Sequence, residues 1–351
     1  MTLKTFGTLE YAIDKYSGSW TWKIVGVRAV MMISKLIPEL WYGDGPDEVI
    51  IPDNEKNVKQ IKLILERYPL EILSKSVWQR KIFTKIIKKS SNIKIEKLSK
   101  AIAGKQFRGK LLNFQKMGLD FLLKSSGNAL LADDMGLGKT VQTLAYIASE
   151  KQSLPVLVVA PLVTLTNWQR EIERFMKKKS KNGRITEDGV PTITVIRSGK
   201  QKELSDYDFY LINYELLYKR QIDLSKLKTR TLVCDEVQHL RSKTTQKYSA
   251  VKKLAGMKSV KYRVGLSGTP IYNHGSEIWP IVDILKPGLL GNFKEFCEYF
   301  CYQDERGKAI VVPSKRDGLR HVLQRDVMLR RKKSDVLKEL KDKVRYKETI
   351  D

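Results

Sequence analysis

From Gly127 onward the chain alternates two kinds of pattern. Short, continuous apolar runs at 129–132, 155–160, 192–196, 208–212, 231–234 and 262–266 read as strands buried on both faces. Segments of helical periodicity at about 139–149, 165–176 and 244–255 separate several of them. That alternation predicts a parallel sheet with helices on both faces. Residues 1 to about 103 do not share the rhythm. Their apolar stretches, such as Trp20–Ile24 and Val49–Ile51, are broken by Gly43-Asp44-Gly45-Pro46. Pro52-Asp53-Asn54-Glu55 then starts a helix with Val58, Ile61, Ile64 and Leu65 at helical spacing, ending near Arg67-Tyr68-Pro69-Leu70. A small α+β domain over 1–103 is expected to precede a larger α/β domain over 104–340, with 341–351 the start of a linker. Repeats of 20–50 residues and low-complexity tracts are absent from the sequence.

Composition narrows the class. Hydrophobic residues make up 42% and charged residues 30%, enough for a core and too polar for a membrane protein. The longest uncharged apolar run, Leu154–Val163, is about half of the roughly 20 residues a spanning helix requires. Met1-Thr2-Leu3-Lys4 leads into no apolar signal core, and three cysteines (Cys234, Cys297, Cys301) make no disulfide framework. An intracellular, cytoplasmic setting is the expectation. Lys and Arg number 65 against 39 Asp and Glu, a formal charge of +26. Such an excess repels itself unless a polyanion is near, and nucleic acid is the commonest one; a lysine-biased genome is the other reading. Nine basic residues fall between Arg80 and Lys105 with Glu96 as the lone acid. They form either a solvated basic stretch or a phosphate-contacting one. Lys177–Lys181, with Gly183 and Gly189, reads as an exposed loop.

Three local patterns carry chemistry. Asp133-Asp134-Met135-Gly136-Leu137-Gly138-Lys139-Thr140 follows a buried run directly. Strand, glycine loop and helix start together aim N–H groups at a phosphate; the lysine reaches β- and γ-oxygens, and the threonine hydroxyl binds Mg²⁺. Asp133 stands where a G-x-x-x-x-G-K-T loop has its first glycine. Second, Asp235-Glu236 ends the apolar run Thr231–Cys234, where solvation favours no acid. In a phosphate-loop protein the first acid holds Mg²⁺ and the second orients the attacking water; an acidic helix start is the alternative. Third, Val264-Gly265-Leu266-Ser267-Gly268-Thr269-Pro270 puts small hydroxyl residues at a strand end, able to sense a γ-phosphate or merely to turn the chain.

In order and spacing these patterns resemble the first motor lobe of superfamily-two helicases, specifically the Swi/Snf-related DNA translocases. Leu111-Leu112-Asn113-Phe114-Gln115 resembles that family's adenine-reading segment, with Gln115 the base contact; Leu112 and Asn113 depart from its usual Arg-Pro. Val159-Ala160-Pro161-Leu162 through Asn167-Trp168, and Ile212-Asn213-Tyr214-Glu215, resemble its backbone-contacting segments. Asp235-Glu236-Val237-Gln238-His239 matches the Asp-Glu-x-Gln form of its acidic motif. Arg263 and Leu266–Asn273 resemble the next motif, with Ser267 where threonine is usual. Glu277-Ile278-Trp279, Leu285–Gly291 and Met328-Leu329-Arg330-Arg331-Lys332-Lys333-Ser334-Asp335-Val336 continue the pattern. The last makes Arg330–Lys333 a lobe-closing segment rather than a nuclear address. The likeness covers about 107–340.

The resemblance implies a RecA-like P-loop fold and an ATP-hydrolysing enzyme that moves along or remodels double-stranded or branched DNA. It implies phosphates held by Asp134, Met135, Gly136, Leu137, Gly138, Lys139 and Thr140; Mg²⁺ on Thr140 and Asp235; and water positioned by Glu236. Coupling would fall to Gln238, Ser267, Gly268 and Thr269. Nucleic-acid contact would fall to Pro161, Leu162, Asn167, Trp168, Asn213 and Tyr214. It also implies a second RecA-like lobe from a longer version of the chain. That lobe's Q-x-x-G-R-x-x-R-type arginine segment is not found here, so weak turnover alone is expected, since such an arginine is worth roughly 10³–10⁵. Residues 1–103 vaguely resemble the DNA-engaging N-terminal modules of phage-type and annealing-helicase relatives, or cap the motor. The rivals are a strand-separating DNA or RNA helicase and a non-catalytic nucleic-acid-binding module. Asp-Glu-x-Gln and Ser-Gly-Thr disfavour a DEAD-box RNA helicase. Intact Lys139, Asp235 and Glu236 disfavour a scaffold. Cys297 and Cys301, four apart on an expected helix, are too few for a zinc site.

Overall fold

The computed structural model describes residues 5–75, 77–79, 81, 103–177, 189–197, 204, 206–270 and 275–336. Most of the basic run 80–105, the lysine-rich loop after Lys177, Ile271–His274 and the expected linker 341–351 lie outside the described residues. The chain divides into two compact units, Met1–Lys89 and Ser90–Asp351.

The first unit is α+β. Strands β1 (Gly7–Ile13), β2 (Trp20–Gly26), β3 (Trp41–Tyr42), β4 (Glu48–Pro52) and β5 (Glu71–Ile72) form a sheet in the order β3-β4-β2-β1-β5. Cross-strand register places Leu9 opposite Ile24, Tyr11 opposite Trp22, Trp22 opposite Ile51 and Ile24 opposite Val49. With a side-chain period of two, these residues share one face, and Leu9, Trp22, Ile24, Val49 and Ile51 are buried. Helix α1 (Arg28–Ser34) packs on β2 and β4, and α2 (Glu55–Arg67) packs on α1, turning in Val58, Ile61 and Ile64. The Asn54 side chain caps α2 by accepting from the Asn57 N–H at 2.8 Å, as the sequence start signal requires.

The second unit is a doubly covered parallel sheet. Its elements are α3 (Asn113–Lys124), β6 (Asn128–Leu131), α4 (Lys139–Ser149), β7 (Val156–Ala160), α5 (Leu165–Phe175), β8 (Ile193–Val195), β9 (Phe209–Asn213), α6 (Leu217–Lys226), β10 (Thr231–Asp235), α7 (Gln246–Ala255) and β11 (Tyr262–Leu266). After them come α8 (Ile278–Leu285), α9 (Phe293–Phe300), the hairpin β12 (Cys301–Gln303) and β13 (Ala309–Val311), α10 (Arg316–Asp326), β14 (Met328–Leu329) and α11 (Lys333–Val336). The sheet order is β14-β6-β11-β10-β7-β9-β8, with every pairing parallel. One core joins Leu119, Leu144, Trp168 and Ile172 of the helices to Leu131, Val158, Leu211, Val233 and Leu266 of the strands. On the other face Gly265 lies so close to Leu285 of α8 that a Cβ there would meet it at 2.8 Å.

Strand order decides where chemistry can occur. β11 lies between β6 and β10, and the register aligns Leu131, Leu266 and Asp235. The three strands therefore end side by side, and their loops converge at the carboxyl edge, where open α/β sheets bind ligands. Cys297 lies in α9, but Cys301 opens β12 instead of continuing the helix.

Candidate nucleotide site

After Ala132 the loop 133–138 turns into α4 through Gly136 and Gly138, with φ of 84° and 71°. Both values lie in the left-handed region that glycine enters without strain. The turn leads straight into the start of α4, where the first N–H groups lack intrahelical partners and can take an anion. Lys139 donates to the Asp133 carbonyl oxygen at 2.9 Å and so stays folded over the loop. Burial lowers its pKa, while the carboxylates of Glu236, Asp133, Asp235 and Asp134 push it back up. Gln115, at the start of α3, accepts from the Leu112 N–H at 3.0 Å. Its amide nitrogen would lie 2.6 Å from a Cβ at Gly138, so α3 presents Gln115 at the lip of the loop. Gly268 packs against Met135 from the opposite side.

β10 delivers Asp235. Its Oδ2 accepts from the Trp168 indole N–H at 2.8 Å, and its Oδ1 accepts from the Glu236 N–H at 3.0 Å. Burial raises the Asp235 pKa; the Trp168 bond lowers it and Glu236 raises it further. Glu236 has φ 48° and ψ 54°, a left-handed conformation costing a non-glycine residue on the order of 1–3 kcal/mol. Its carboxylate lies near Lys139, where it is foremost among the charges raising the lysine pKa. From Glu236 an unbroken chain of bonds runs outward. Gln238 Nε2 donates to Glu236 Oε2 at 2.7 Å, Ser267 Oγ donates to Gln238 Oε1 at 2.8 Å, and the Thr269 N–H donates to Ser267 Oγ at 3.0 Å. Residues from two strand ends, far apart in sequence, are linked by hydrogen bonds alone. Beside Gln238 and Thr269 opens a cleft of about 890 Å³, also lined by Tyr218, His239, Arg241 and Lys247. His239 is exposed and stacks on Tyr214 with centroids 5.1 Å apart.

The expected nucleic-acid contacts separate into two groups. Leu162 is 66% exposed, Asn167 is exposed and Pro161 is half-buried, so this set can meet a ligand. Trp168, Tyr214 and Asn213 cannot as they stand: they are 0%, 1% and 7% exposed. Trp168 serves Asp235. The Tyr214 hydroxyl donates to the Asp235 carbonyl oxygen at 2.8 Å, and Asn213 Oδ1 accepts from the Leu216 N–H at 2.9 Å. All three were expected as nucleic-acid contacts; in the structure they are buried, Trp168 and Tyr214 bracing Asp235 and Asn213 holding the turn after β9. The reason is register, since β9 is buried along its whole length and α5 turns Trp168 inward.

Sequence reasoning also missed why Asp133 replaces a glycine. Asp133 is fully buried and ion-paired with Arg331, which follows the two-residue edge strand β14. Arg330 donates to the carbonyl oxygens of Ala132 and Gly268 at 3.2 and 3.1 Å. The lobe-closing segment therefore lies against the glycine loop. The signal available in the sequence was an acid directly after an apolar run, at the position where the loop pattern has a glycine.

Strand, glycine loop, helix and acidic strand end make this unit a RecA-like lobe. The SNF2-related domain pattern matches residues 114–351. YwqA of Bacillus subtilis strain 168, named for a candidate ATP-dependent helicase/translocase activity, is 33% identical over 262 residues, covering 70% of this chain and 26% of that protein. Snf21 of Schizosaccharomyces pombe, a chromatin structure-remodeling complex subunit, is 33% identical over 250 residues, covering 67% and 20%. The Sulfolobus solfataricus SWI2/SNF2 ATPase core in complex with dsDNA superposes with a TM-score of 0.55 at 29% identity, covering 69% of this chain and 49% of that one. The chain belongs to the SNF2-related family. It spans about a quarter of YwqA and about half of the archaeal core.

Proposed function

We propose that this chain provides the first motor lobe of an ATP-driven double-stranded DNA translocase, preceded by an N-terminal module that engages DNA or caps the motor. The observation that carries the proposal is the chain of bonds from Glu236 through Gln238 and Ser267 to Thr269. A scaffold has no use for a strained glutamate tied to a neighbouring strand end beside a phosphate cradle. A site that must feel whether a γ-phosphate is present does.

In this reading Lys139 and the amides of Gly136 to Thr140 hold the phosphates, with Asp134, Met135 and Leu137 shaping the loop, and Gln115 meets the adenine. The donors suit Mg²⁺: Thr140 offers a hydroxyl, and among the described residues each Asp235 oxygen accepts one hydrogen bond, leaving lone pairs for a hard cation. Thr140 and Asp235 would hold the ion, which would supply positive charge against the phosphates. Glu236 orients the attacking water and accepts its proton. Loss of the γ-phosphate then changes what Glu236 touches, and Gln238, Ser267, Gly268 and Thr269 pass that change to the cleft outside.

Leu162, Asn167 and Pro161 lie on segments that would track a DNA backbone, giving sequence-tolerant, salt-dependent binding. The archaeal relative's complex with dsDNA and the remodelling and translocase names of the relatives support duplex over RNA. A second RecA-like lobe is the proposed partner and the proposed source of an arginine finger, so turnover by these residues alone is weak. Among the described residues no helix is long and apolar enough to cross a membrane; a cytoplasmic location is part of the proposal.

The test is ATP turnover by this chain, alone and with duplex DNA, single-stranded DNA or RNA, beside Glu236→Gln and Lys139→Ala. Weak turnover, highest with duplex and lost in both variants, supports the reading. Turnover that survives Lys139→Ala, or an RNA preference, overturns it.

A further inference from the structure

The buried ion pair behind the glycine loop is more than a brace. Arg331 reaches three segments at once. Its Nε donates to Asp133 Oδ1 at 3.0 Å, and Nη2 donates to Gln142 Oε1 of α4 at 2.9 Å while pairing with Asp133 Oδ2. Nη1 bonds the Phe114 carbonyl oxygen at the start of α3, one residue before Gln115, and the guanidinium lies 5.7 Å from the Phe114 ring centroid. Gln142 completes the cluster by donating to Asp133 Oδ2 at 3.3 Å and to the Leu137 carbonyl oxygen at 3.1 Å. Asp133 and Gln142 are fully buried, and Arg331 nearly so.

A second, independent feature points to the same place. Gly118 sits inside α3, where glycine is disfavoured by roughly 1 kcal/mol against alanine. A Cβ at Gly118 would lie 1.7 Å from Gln142 Oε1 and 3.2 Å from Arg331 Nη2. The helix gives up a side chain so that the guanidinium and amide can reach past it. The backbone follows the same route. The N–H groups of Ala132 and Asp134 donate to the carbonyl oxygens of Leu329 and Arg331 at 2.7 and 3.0 Å, and the Lys333 N–H donates to Asp134 Oδ2 at 3.1 Å.

We propose that Arg331 is a positioning residue for the nucleotide: it holds the adenine-side helix start and the phosphate loop in one register and couples both to the segment 328–333. The inference rests on the nucleotide-site reading above. Without Arg331 the loop can still close on phosphate, but Gln115 and the cradle no longer fit one ligand together. Coupling is reciprocal, so a ligand that fixes loop and helix also fixes the 328–333 segment.

The experiment compares ATP with tripolyphosphate, which has phosphates and no base, by calorimetry on the 351-residue chain. Variants are Arg331→Lys, Gly118→Ala and the charge-balanced pair Asp133→Asn with Arg331→Met, which leaves no lone buried charge. With folding checked by thermal melts, the balanced pair should weaken ATP about tenfold or more while tripolyphosphate changes by less than about threefold. Arg331→Lys, keeping the charge without the fork, should fall between. Equal weakening of both ligands, or ATP affinity within about twofold of wild type, overturns the proposal. Should the paired variant not fold, hydrogen exchange on the unaltered chain decides. ATP should slow exchange at Ala132, Asp134 and Lys333 by about tenfold, and unchanged rates there overturn the coupling. A wild-type chain that binds tripolyphosphate but gains nothing from the base refutes the inference alone. One that binds neither ligand refutes the site reading and the inference with it.

Discussion

Asp53 in the first unit and Asp235 in the second both sit at strand ends beside tryptophan indoles, yet their surroundings differ in kind. Asp53 accepts from the Tyr11 hydroxyl at 2.7 Å and from the Trp22 indole at 3.1 Å, and Lys81 pairs with it. Three donors consume its charge, and an aromatic series of Trp20, Tyr11, Trp22 and Trp78 packs around it. Among the described residues Asp235 accepts one bond per oxygen; it also faces the like charge of Glu236, and burial raises its pKa. The first carboxylate is spent on the fold. The second is held uncomfortably with capacity left over, the condition in which a cation or a reacting group gains most by binding.

The largest effect is expected at Asp53. Asp53→Ala strands the Tyr11 hydroxyl, the Trp22 indole and the Lys81 ammonium, and should cost the first unit on the order of 1–3 kcal/mol. Urea unfolding followed by tryptophan fluorescence measures the loss, and ATP affinity should not move. A smaller effect is expected at Ser267→Ala, which opens the chain between Gln238 and Thr269 at a cost of about 1 kcal/mol. DNA-stimulated turnover should drop severalfold with ATP affinity nearly unchanged; an equal loss in binding would place Ser267 in the cradle instead. The smallest is a shift in pH dependence. Trp168→Phe removes a donor that stabilises the Asp235 carboxylate, so the already raised pKa should rise further. A protonated Asp235 cannot hold Mg²⁺, so Mg²⁺-dependent ATP binding is full above that pKa and lost as pH falls through it. The variant should lose binding at a higher pH than wild type, and a titration at several pH values shows which way the midpoint moves.

Much of the second unit was legible because its strands are buried on both faces and read as unbroken apolar runs. The predicted runs and β6 through β11 agree to within a residue or two at their ends. The glycine loop and Asp235-Glu236 were legible because polar residues directly after such runs need another reason to be there. Side-chain direction was not. Trp168, Asn213 and Tyr214 are buried, and which way Trp168 and Tyr214 point depends on partners up to 67 positions away. β14, two residues long, has no period to detect, yet it carries Arg330 and Arg331 to the loop. In the first unit, β1 hid its alternation of Leu9, Tyr11 and Ile13 behind intervening Glu10 and Ala12. A sheet with a short antiparallel edge offers less pattern per residue than a buried parallel one.

The most direct measurement places the same substitution at both carboxylates: calorimetric titration of ATP with and without Mg²⁺ into Asp235→Asn and Asp53→Asn, with thermal melts of each. Asp235→Asn should lose the Mg²⁺-dependent part of ATP affinity while Tm stays the same or rises, because a buried carboxylate with a raised pKa costs the fold stability at neutral pH. Asp53→Asn should bind ATP as wild type does and unfold sooner. If Asp235→Asn keeps its Mg²⁺-dependent affinity, or the two variants behave alike, Asp235 is another structural acid and the nucleotide site does not work as described.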